Sequence, residues 1–194
     1  DGEVLWSIPW ISNPEERNNV CQPIILPGAG GQRDRVLVSS GYGMGTSLFD
    51  VTLDDDEIHL RELWHSHRLQ SKFSSVIVHR GGVFGLNGDI LTCLDLRTGR
   101  LRWKGGRYGF GQLVMINDML LVQCESGDIA LVAAGLDTHR EIARIAALPG
   151  RTWNHPVVAR GCLLLRNDRE AVCLELPQLP VLHIDASAVE ARID

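Results

Sequence analysis

The sequence contains neither a long apolar run nor a run of basic residues, and each absence excludes a class of function. No stretch of about 18 uninterrupted apolar residues occurs, so no segment predicts a membrane-spanning helix. The 19 Lys and Arg residues are interspersed with 24 Asp and Glu residues, which gives a formal net charge of −5. A surface for nucleic acid or for an anionic membrane is therefore not expected.

The N-terminus also lacks the features of a nascent secretory chain. The sequence opens on Asp1 without a methionine, a charged segment or an apolar segment after it. We therefore expect no attached signal peptide in residues 1–194. The pattern predicts either a processed chain or a piece of a longer protein.

Motifs for metal or cofactor binding are missing as well. The five cysteines form no Cys-x-x-Cys pair and show no metal-like spacing. The acidic run 53–57 lacks the glycine and the spaced ligands of a calcium-binding loop. His65 and His67 share one side of a predicted strand close to His59, but no further ligand follows at a fixed spacing. These observations predict no metal site and no bound cofactor.

No catalytic motif stands out. The sequence has no Gly-x-Ser-x-Gly turn to present a nucleophilic serine. The glycine-rich segment 41–45 is followed by a predicted strand, so no helix N-terminus is available to hold a phosphate. The sequence offers no candidate catalytic residue, which favours a non-catalytic protein.

The residues that are present predict many short strands joined by tight turns. Hydrophobic residues make up 44% of the chain, and 20 glycines and 8 prolines are spread through it. Apolar runs at 23–26, 75–78, 113–116 and 156–158 each precede a connection and a second apolar run, a pattern typical of antiparallel hairpins. The expected fold class is all-β.

The hairpins recur at intervals of about 40 residues, a spacing typical of the four-stranded blades of a β-propeller. The Gly-Asp-Ile sequence at 88–90 returns at 127–129, and residues 171–176 match residues 91–96. We expect blades at about 19–66, 72–105, 111–148 and 152–177, with three clear strands in the last.

The two ends of the chain fall outside these blades. Residues 1–6 match residues 98–103, which end the second blade. We therefore expect residues 1–10 to form the outer strand of a closing blade, because such a strand removes an exposed sheet edge. Residues 181–194 are expected to form a C-terminal extension.

One copy of the repeat is complete. In Leu94-Asp-Leu-Arg-Thr-Gly-Arg-Leu-Arg-Trp103, which follows Cys93, an aspartate, a glycine and a tryptophan are evenly spaced. This segment resembles the repeat of pyrroloquinoline-quinone-type propellers, whose blades end in Ala-x-Asp-x-x-x-Gly-x-x-x-Trp. The motif positions of this chain are Gly2, Trp6, Asp50, Trp64, Asp95, Gly99 and Trp103. In the degenerate units, Gly135, His139 and Ala143 are expected to replace the three motif residues of the third, and Glu175 the aspartate of the fourth.

The motif also has a physical interpretation. Glycine permits the positive φ that the turn between the third and fourth strands requires. A tryptophan one short strand later offers a large apolar area that can dock between neighbouring blades.

The resemblance implies a propeller of about seven or eight blades. The four blades would then be half or a fragment of that ring, or a homodimer would complete it. The family includes quinoprotein alcohol dehydrogenases and an outer-membrane assembly lipoprotein, which implies a periplasmic or extracellular location. Two functions follow: a non-catalytic scaffold or interaction module, or part of a quinone-dependent dehydrogenase whose cofactor-binding blades are missing or degenerate. The adjacent cysteines that those dehydrogenases use are absent, which favours the first.

Two connections combine arginine with aromatic residues, the composition of interaction hot spots. Both lead into the first strand of a blade, and such connections cluster at one end of a propeller. The alternative is that the aromatic rings pack between blades. We expect a protein or saccharide-like ligand to bind at Arg107, Tyr108, Phe110, Arg151, Trp153, Asn154 and His155.

Overall fold

The computed structural model of the chain describes residues 2–4, 6–10, 18–28, 33–54 and 57–176, and all regular structure within them is β-strand. Blade 1 consists of β1 (Ile24–Leu26), β2 (Asp34–Ser40), β3 (Gly45–Asp54) and β4 (Glu57–Ser66). Blade 2 consists of β5 (Ile77–His79), β6 (Gly82–Asn87), β7 (Ile90–Asp95) and β8 (Leu101–Gly105). Blade 3 consists of β9 (Gln112–Ile116), β10 (Met119–Gln123), β11 (Asp128–Ala133) and β12 (Glu141–Ala146). Blade 4 consists of β13 (Val157–Ala159), β14 (Cys162–Arg166) and β15 (Ala171–Glu175).

Each blade is an antiparallel meander in which every strand pairs with the next along the chain. Three sheets have four strands, and the fourth has three within the described residues. The three strands of blade 4 are those that the sequence predicts for it, and residues 177–194 lie outside the described residues. The predicted extension at 181–194 lies outside them too.

The N-terminal residues 2–4 and 6–10 belong to no strand of the described part of the chain. They pair with none of the four sheets as far as the structure describes these. Instead, Trp10 packs edge-on against Phe49 of β3, with ring centroids 6.4 Å apart. This contact covers an apolar ring on blade 1. The outer strand of a closing blade expected at 1–10 stays a prediction.

Successive blades pack face to face through three apolar cores. Leu37 and Leu48 of blade 1 meet Val83 and Leu94 of blade 2. Blades 2 and 3 enclose the core of Phe84, Leu86, Leu91, Cys93, Trp103, Tyr108, Leu113, Leu120, Val122, Cys124, Ala130 and Val132. The core between blades 3 and 4 contains Leu121, Ile129, Leu148, Leu163 and Leu165. Strands that are buried on both faces have unbroken apolar sequences, which explains the apolar runs found in the sequence.

The motif tryptophan of blade 1 joins blade 1 to blade 2. The indole Nε1 of Trp64 donates a hydrogen bond of 2.9 Å to the carbonyl oxygen of Leu96. The ring lies directly over Gly99, where a Cβ atom would be only 2.5 Å from Cε3 of Trp64. Gly99 has φ of +67°. The glycine is therefore required twice, for the backbone conformation and for the approach of the tryptophan.

Trp103 makes the same connection one blade later. Its Nε1 donates a 2.9 Å hydrogen bond to the carbonyl oxygen of Gly135. Its ring meets His139 edge-on, with centroids 5.6 Å apart. His139 occupies the position of Gly99, because the backbone N of Ala133 donates to Arg140 O just as that of Asp95 donates to Arg100 O.

The turn of blade 3 corrects one detail of the predicted alignment. Six residues, 134–139, separate the bonded pair Ala133 and Arg140, whereas four, 96–99, separate Asp95 and Arg100. The residue that replaces the motif aspartate is therefore Ala133 and not Gly135. Gly135 lies within the longer turn, and its carbonyl accepts the bond from Trp103 as the carbonyl of Leu96 accepts that from Trp64.

A polar network lies between blades 2 and 3, beside the ring of Tyr108. The hydroxyl of Tyr108 donates to Glu141 Oε2 at 2.8 Å and contacts His139 Nε2 at 2.8 Å. Arg144 donates to both carboxylate oxygens of Glu141, each at 2.9 Å. Its guanidinium also lies 5.1 Å from the centre of the Tyr108 ring. Ala143 takes the tryptophan position, pairing with Leu131 as Trp103 pairs with Cys93.

This network predicts a pH-dependent contribution to stability. The hydrogen bonds from Arg144, assisted by that from Tyr108, lower the pKa of Glu141 from 4.5 to about 2. Since the pKa is lower in the folded state, the stabilisation is present above the ordinary pKa and is lost as the pH falls towards about 2. We expect the Glu141→Gln variant to lose less stability than the wild type between about pH 6 and pH 3, in urea denaturation at both values. The exposed Glu170→Gln variant is the control and should follow the wild type; equal slopes for all three proteins would contradict the prediction.

Candidate functional site

Three connections between successive blades lie at one end of the sheets. They are 67–76, 106–111 and 147–156, and each runs from the last strand of one blade to the first strand of the next. Because neighbouring strands are antiparallel, the first strands of blades 2, 3 and 4 all begin at this end. We call it the connection end.

An aromatic residue occupies the same position in each of the three connections. Phe73, Phe110 and Trp153 each lie nine residues before the second strand of the following blade, which begins at Gly82, Met119 and Cys162 respectively. Equivalent positions in neighbouring blades are close in space. The sequence repeat thus brings three aromatic side chains together.

Phe73 is the centre of this group, which we call the aromatic cluster (Phe73, Phe110 and Trp153). Its ring meets Phe110 edge-on, with centroids 5.2 Å apart. It stacks against Trp153 at 6.0 Å, with an interplanar angle of 26°. Phe73 is 36% exposed and Trp153 is 46% exposed. The cluster therefore presents apolar aromatic surface to solvent at the connection end.

Gln112 links two of the connections through hydrogen bonds to their backbones. Its side chain is buried, and its Nε2 donates to the carbonyl oxygen of Phe73 at 3.0 Å and to that of Trp153 at 3.1 Å. One buried amide therefore fixes the backbone under two rings from different blade junctions.

Glu125, in the turn between β10 and β11, links Trp153 to Phe110 through hydrogen bonds. Its Oε1 accepts a 2.9 Å hydrogen bond from Trp153 Nε1. Its Oε2 accepts a 3.1 Å hydrogen bond from the backbone N of Phe110. Its backbone carbonyl also accepts from Thr152 N at 2.9 Å. Both carboxylate oxygens are thus used inside the protein, which orients Trp153 relative to Phe110.

Two cations lie against the aromatic rings. Lys72 Nζ is 5.2 Å from the centre of the Phe73 ring and 5.5 Å from that of Phe110. It is also 4.7 Å from the ring of Tyr42, in the turn between β2 and β3. The Arg151 guanidinium is 4.9 Å from the ring of Trp153. Such distances are typical of cation–π contacts.

The structure brings together three of the predicted site residues. Phe110 and Trp153 are members of the aromatic cluster, and Arg151 lies on it. Arg107 is exposed but forms an ion pair with Asp89. His155 contacts the carbonyl oxygen of Pro156 at 2.8 Å and lines a groove on the free face of blade 4 with Val157 and Leu164. Asn154, between Trp153 and His155, is half-buried.

The prediction for Tyr108 was wrong. Its side chain is 2% exposed and belongs to the core between blades 2 and 3. Because the adjoining Gly106 and Gly109 both have positive φ, the backbone turns sharply there and places the ring in the core. Burial and its hydrogen bond to Glu141 raise the pKa of Tyr108. It therefore acts in packing between blades, the alternative considered for these aromatic residues.

Sequence reasoning missed Phe73, Lys72 and Glu125. Phe73 and Lys72 stand in the segment Gln70-Ser-Lys-Phe-Ser-Ser75, which has no resemblance to the other two connections apart from the aromatic residue. Counting back nine residues from each second strand would have found Phe73. No sequence signal indicates that Glu125 reaches two connections, since its role depends on the shape of the turn.

Within the described residues, no group of three or more His, Cys, Asp and Glu side chains is placed to hold a metal ion. His65 and His67 do contact each other edge-on at 4.5 Å between ring centroids. The part of the chain that the structure describes also contains no helix with the length and apolar character to cross a membrane.

Comparison with known protein structures identifies the fold. No protein-family model and no curated protein matches the chain. BamB from Moraxella catarrhalis superimposes on it with a TM-score of 0.59 at 18% sequence identity, over 79% of this chain and 41% of BamB. The fold is that of β-propeller blades.

Two computationally designed proteins are also similar in structure. Ika4 gives a TM-score of 0.54 at 11% identity, covering 74% of this chain and 86% of Ika4. Ika8 gives 0.54 at 11% identity, covering 78% of this chain and 45% of Ika8. These likenesses concern the fold alone, and the chain spans less than half the length of BamB.

Proposed function

We propose that this chain is a non-catalytic interaction module, and that a segment of a protein partner docks on the aromatic cluster at the connection end. The observation that carries the proposal is the exposure of Phe73 and Trp153, at 36% and 46%, in a cluster whose backbone is fixed by buried polar residues. The repeat of pyrroloquinoline-quinone-type propellers supports a larger ring, of which these blades are a part.

The cluster has the properties of a binding hot spot. Phenylalanine and tryptophan bury much apolar area for little loss of conformational entropy. Gln112 and Glu125 already hold the connections, so a partner would not have to order them. Preorganisation of this kind lowers the entropic cost of association.

The opposite end of the sheets is less suited to a partner. The turns between the first and second strands of blades 2, 3 and 4 have only two residues each there, and Arg80 is paired with Asp118 at 3.0 Å. No aromatic contact joins turns from different blades at that end in the described residues. The connection end is therefore the better candidate for the binding site of a protein partner.

The proposal predicts that Phe73→Ala weakens peptide binding while the fold is kept. A library of random dodecapeptides displayed on phage would be selected on the intact chain, and the enriched peptides would be synthesised. We expect their affinity to fall at least about tenfold for the Phe73→Ala variant, because the central ring of the cluster is lost. The readout is fluorescence anisotropy of the labelled peptide.

Trp6→Ala is the matched control, since Trp6 is another aromatic residue with a similar exposure of 38%. It lies outside every sheet of the described residues. Its variant should bind the peptides as the wild type does. Failure to enrich any peptide, or equal binding by the wild type and the Phe73→Ala variant, would overturn the proposed function.

A further inference from the structure

The ammonium of Lys72 lies against the aromatic cluster and has no hydrogen-bond acceptor within the described residues. Three rings surround its ammonium, those of Tyr42, Phe73 and Phe110, at 4.7, 5.2 and 5.5 Å. No carboxylate of the described residues forms an ion pair with it. Ring faces attract a cation but leave its hydrogen-bond donors unsatisfied. The ammonium is therefore available to an acceptor outside this chain.

The lysine is also held in place. A Cβ atom on Gly41 would lie 3.1 Å from both Cβ and Cγ of Lys72, so the stem packs closely on the turn between β2 and β3. On its other side, the backbone N of Ser71 donates to Ser39 Oγ at 3.3 Å. Gln70 N donates to Asn87 Oδ1 at 3.2 Å. The connection that carries Lys72 is thus attached to both blade 1 and blade 2.

The balance of charge around the cluster favours an anion. Lys72 and Arg151 are both cationic and both lie against its rings. Glu125 is the carboxylate that contacts the cluster, and its two oxygens already accept from Trp153 and from Phe110. Arg151 Nε is 4.0 Å from Glu125 Oε1, so the negative charge of Glu125 offsets the positive charge of Arg151. One positive charge, that of Lys72, remains beside exposed apolar surface.

We infer that the partner segment is an acidic one, in which an aromatic or aliphatic side chain stands beside an aspartate or a glutamate. The apolar side chain packs on Phe73 and Trp153, and the carboxylate accepts from the Lys72 ammonium. This inference rests on the proposed function and specifies its partner. A neutral saccharide fits less well, because it would cover the cluster without supplying a charge for Lys72.

The test uses the peptides selected on the intact chain and a Lys72→Gln variant. We expect the selected peptides to be enriched in Asp or Glu adjacent to an apolar residue. Their affinity for Lys72→Gln should be about tenfold lower, as for the loss of one charge-assisted hydrogen bond. Lys72→Arg should restore most of it. The loss should shrink as salt is raised, because screening weakens the contact.

Arg97→Gln is the matched control, since it removes one exposed positive charge from the β7–β8 turn at the opposite end. It should bind as the wild type does. Peptides that need Phe73 but bind Lys72→Gln and the wild type equally would overturn the inference and leave the proposed function standing. Peptides that bind regardless of Phe73 would overturn both. Displacement of the peptides by maltohexaose, with no acidic preference among them, would also overturn the inference and point to a saccharide.

Discussion

Replacing Trp103 with alanine should lower the free energy of unfolding by about 3–5 kcal/mol, the range found for buried tryptophan and phenylalanine truncations. The side chain is 7% exposed and lies in the core between blades 2 and 3. Alanine would remove its contacts with Phe84, at 5.9 Å between centroids, and with His139. It would also remove the hydrogen bond to Gly135 of the next blade.

The measurement is equilibrium unfolding in urea, followed by circular dichroism. Trp6→Ala is the control, because Trp6 carries the same side chain at a position that is 38% exposed and outside every described sheet. Its variant should stay within about 0.5 kcal/mol of the wild type. Equal losses in the two variants would mean that the tryptophan between blades contributes no more than an exposed one.

The repeat made most of the fold predictable. Because strands of neighbouring blades are buried on both faces, they appear in the sequence as apolar runs with turn residues between them. The motif alone then predicted that Trp64 and Trp103 lie between neighbouring blades. The extra turn residues of blade 3 could not be predicted, because the motif that marks the register is absent there. Counting from the motif put Gly135 where the structure puts Ala133.

The candidate site was less predictable than the fold. Its side chains come from three connections, and their proximity depends on how the blades stack. Composition drew attention to Phe110 and Trp153, which are near arginines in the sequence. It also drew attention to Tyr108, because a ring in a glycine-rich segment looks the same in sequence whether it points outward or into the core.

The same limit applies to the polar residues that support the cluster. Gln112 begins β9 and Glu125 follows β10, so neither stands in a motif. Their importance lies in the hydrogen bonds that they make to other connections. Only the three-dimensional arrangement identifies such residues.

Gly99→Ala should lower the free energy of unfolding by about 2–5 kcal/mol. Two effects add. An alanine at φ of +67° is strained by about 1–2 kcal/mol. In addition, its Cβ would be 2.5 Å from Cε3 and 2.6 Å from Cδ2 of Trp64, and overpacking of this kind costs about 1–3 kcal/mol.

Gly88→Ala separates the two effects. Gly88 has nearly the same φ, +65°, but a Cβ atom there would meet no heavy atom within 4 Å. It should therefore show the backbone strain alone, about 1–2 kcal/mol in urea unfolding. The difference between the two variants measures the contact with Trp64.

A double-mutant cycle identifies the tryptophan as the cause of that difference. In a Trp64→Leu background, the ring that the added methyl group would strike is gone, so the Gly99→Ala substitution should cost only the backbone strain. The coupling energy expected from the cycle is about 0.5–3 kcal/mol. A coupling near zero would mean that blade 2 shifts to accept the methyl group without loss. A clear coupling would show that the glycine of one blade and the tryptophan of the blade before it act as one unit, and so why the motif carries both.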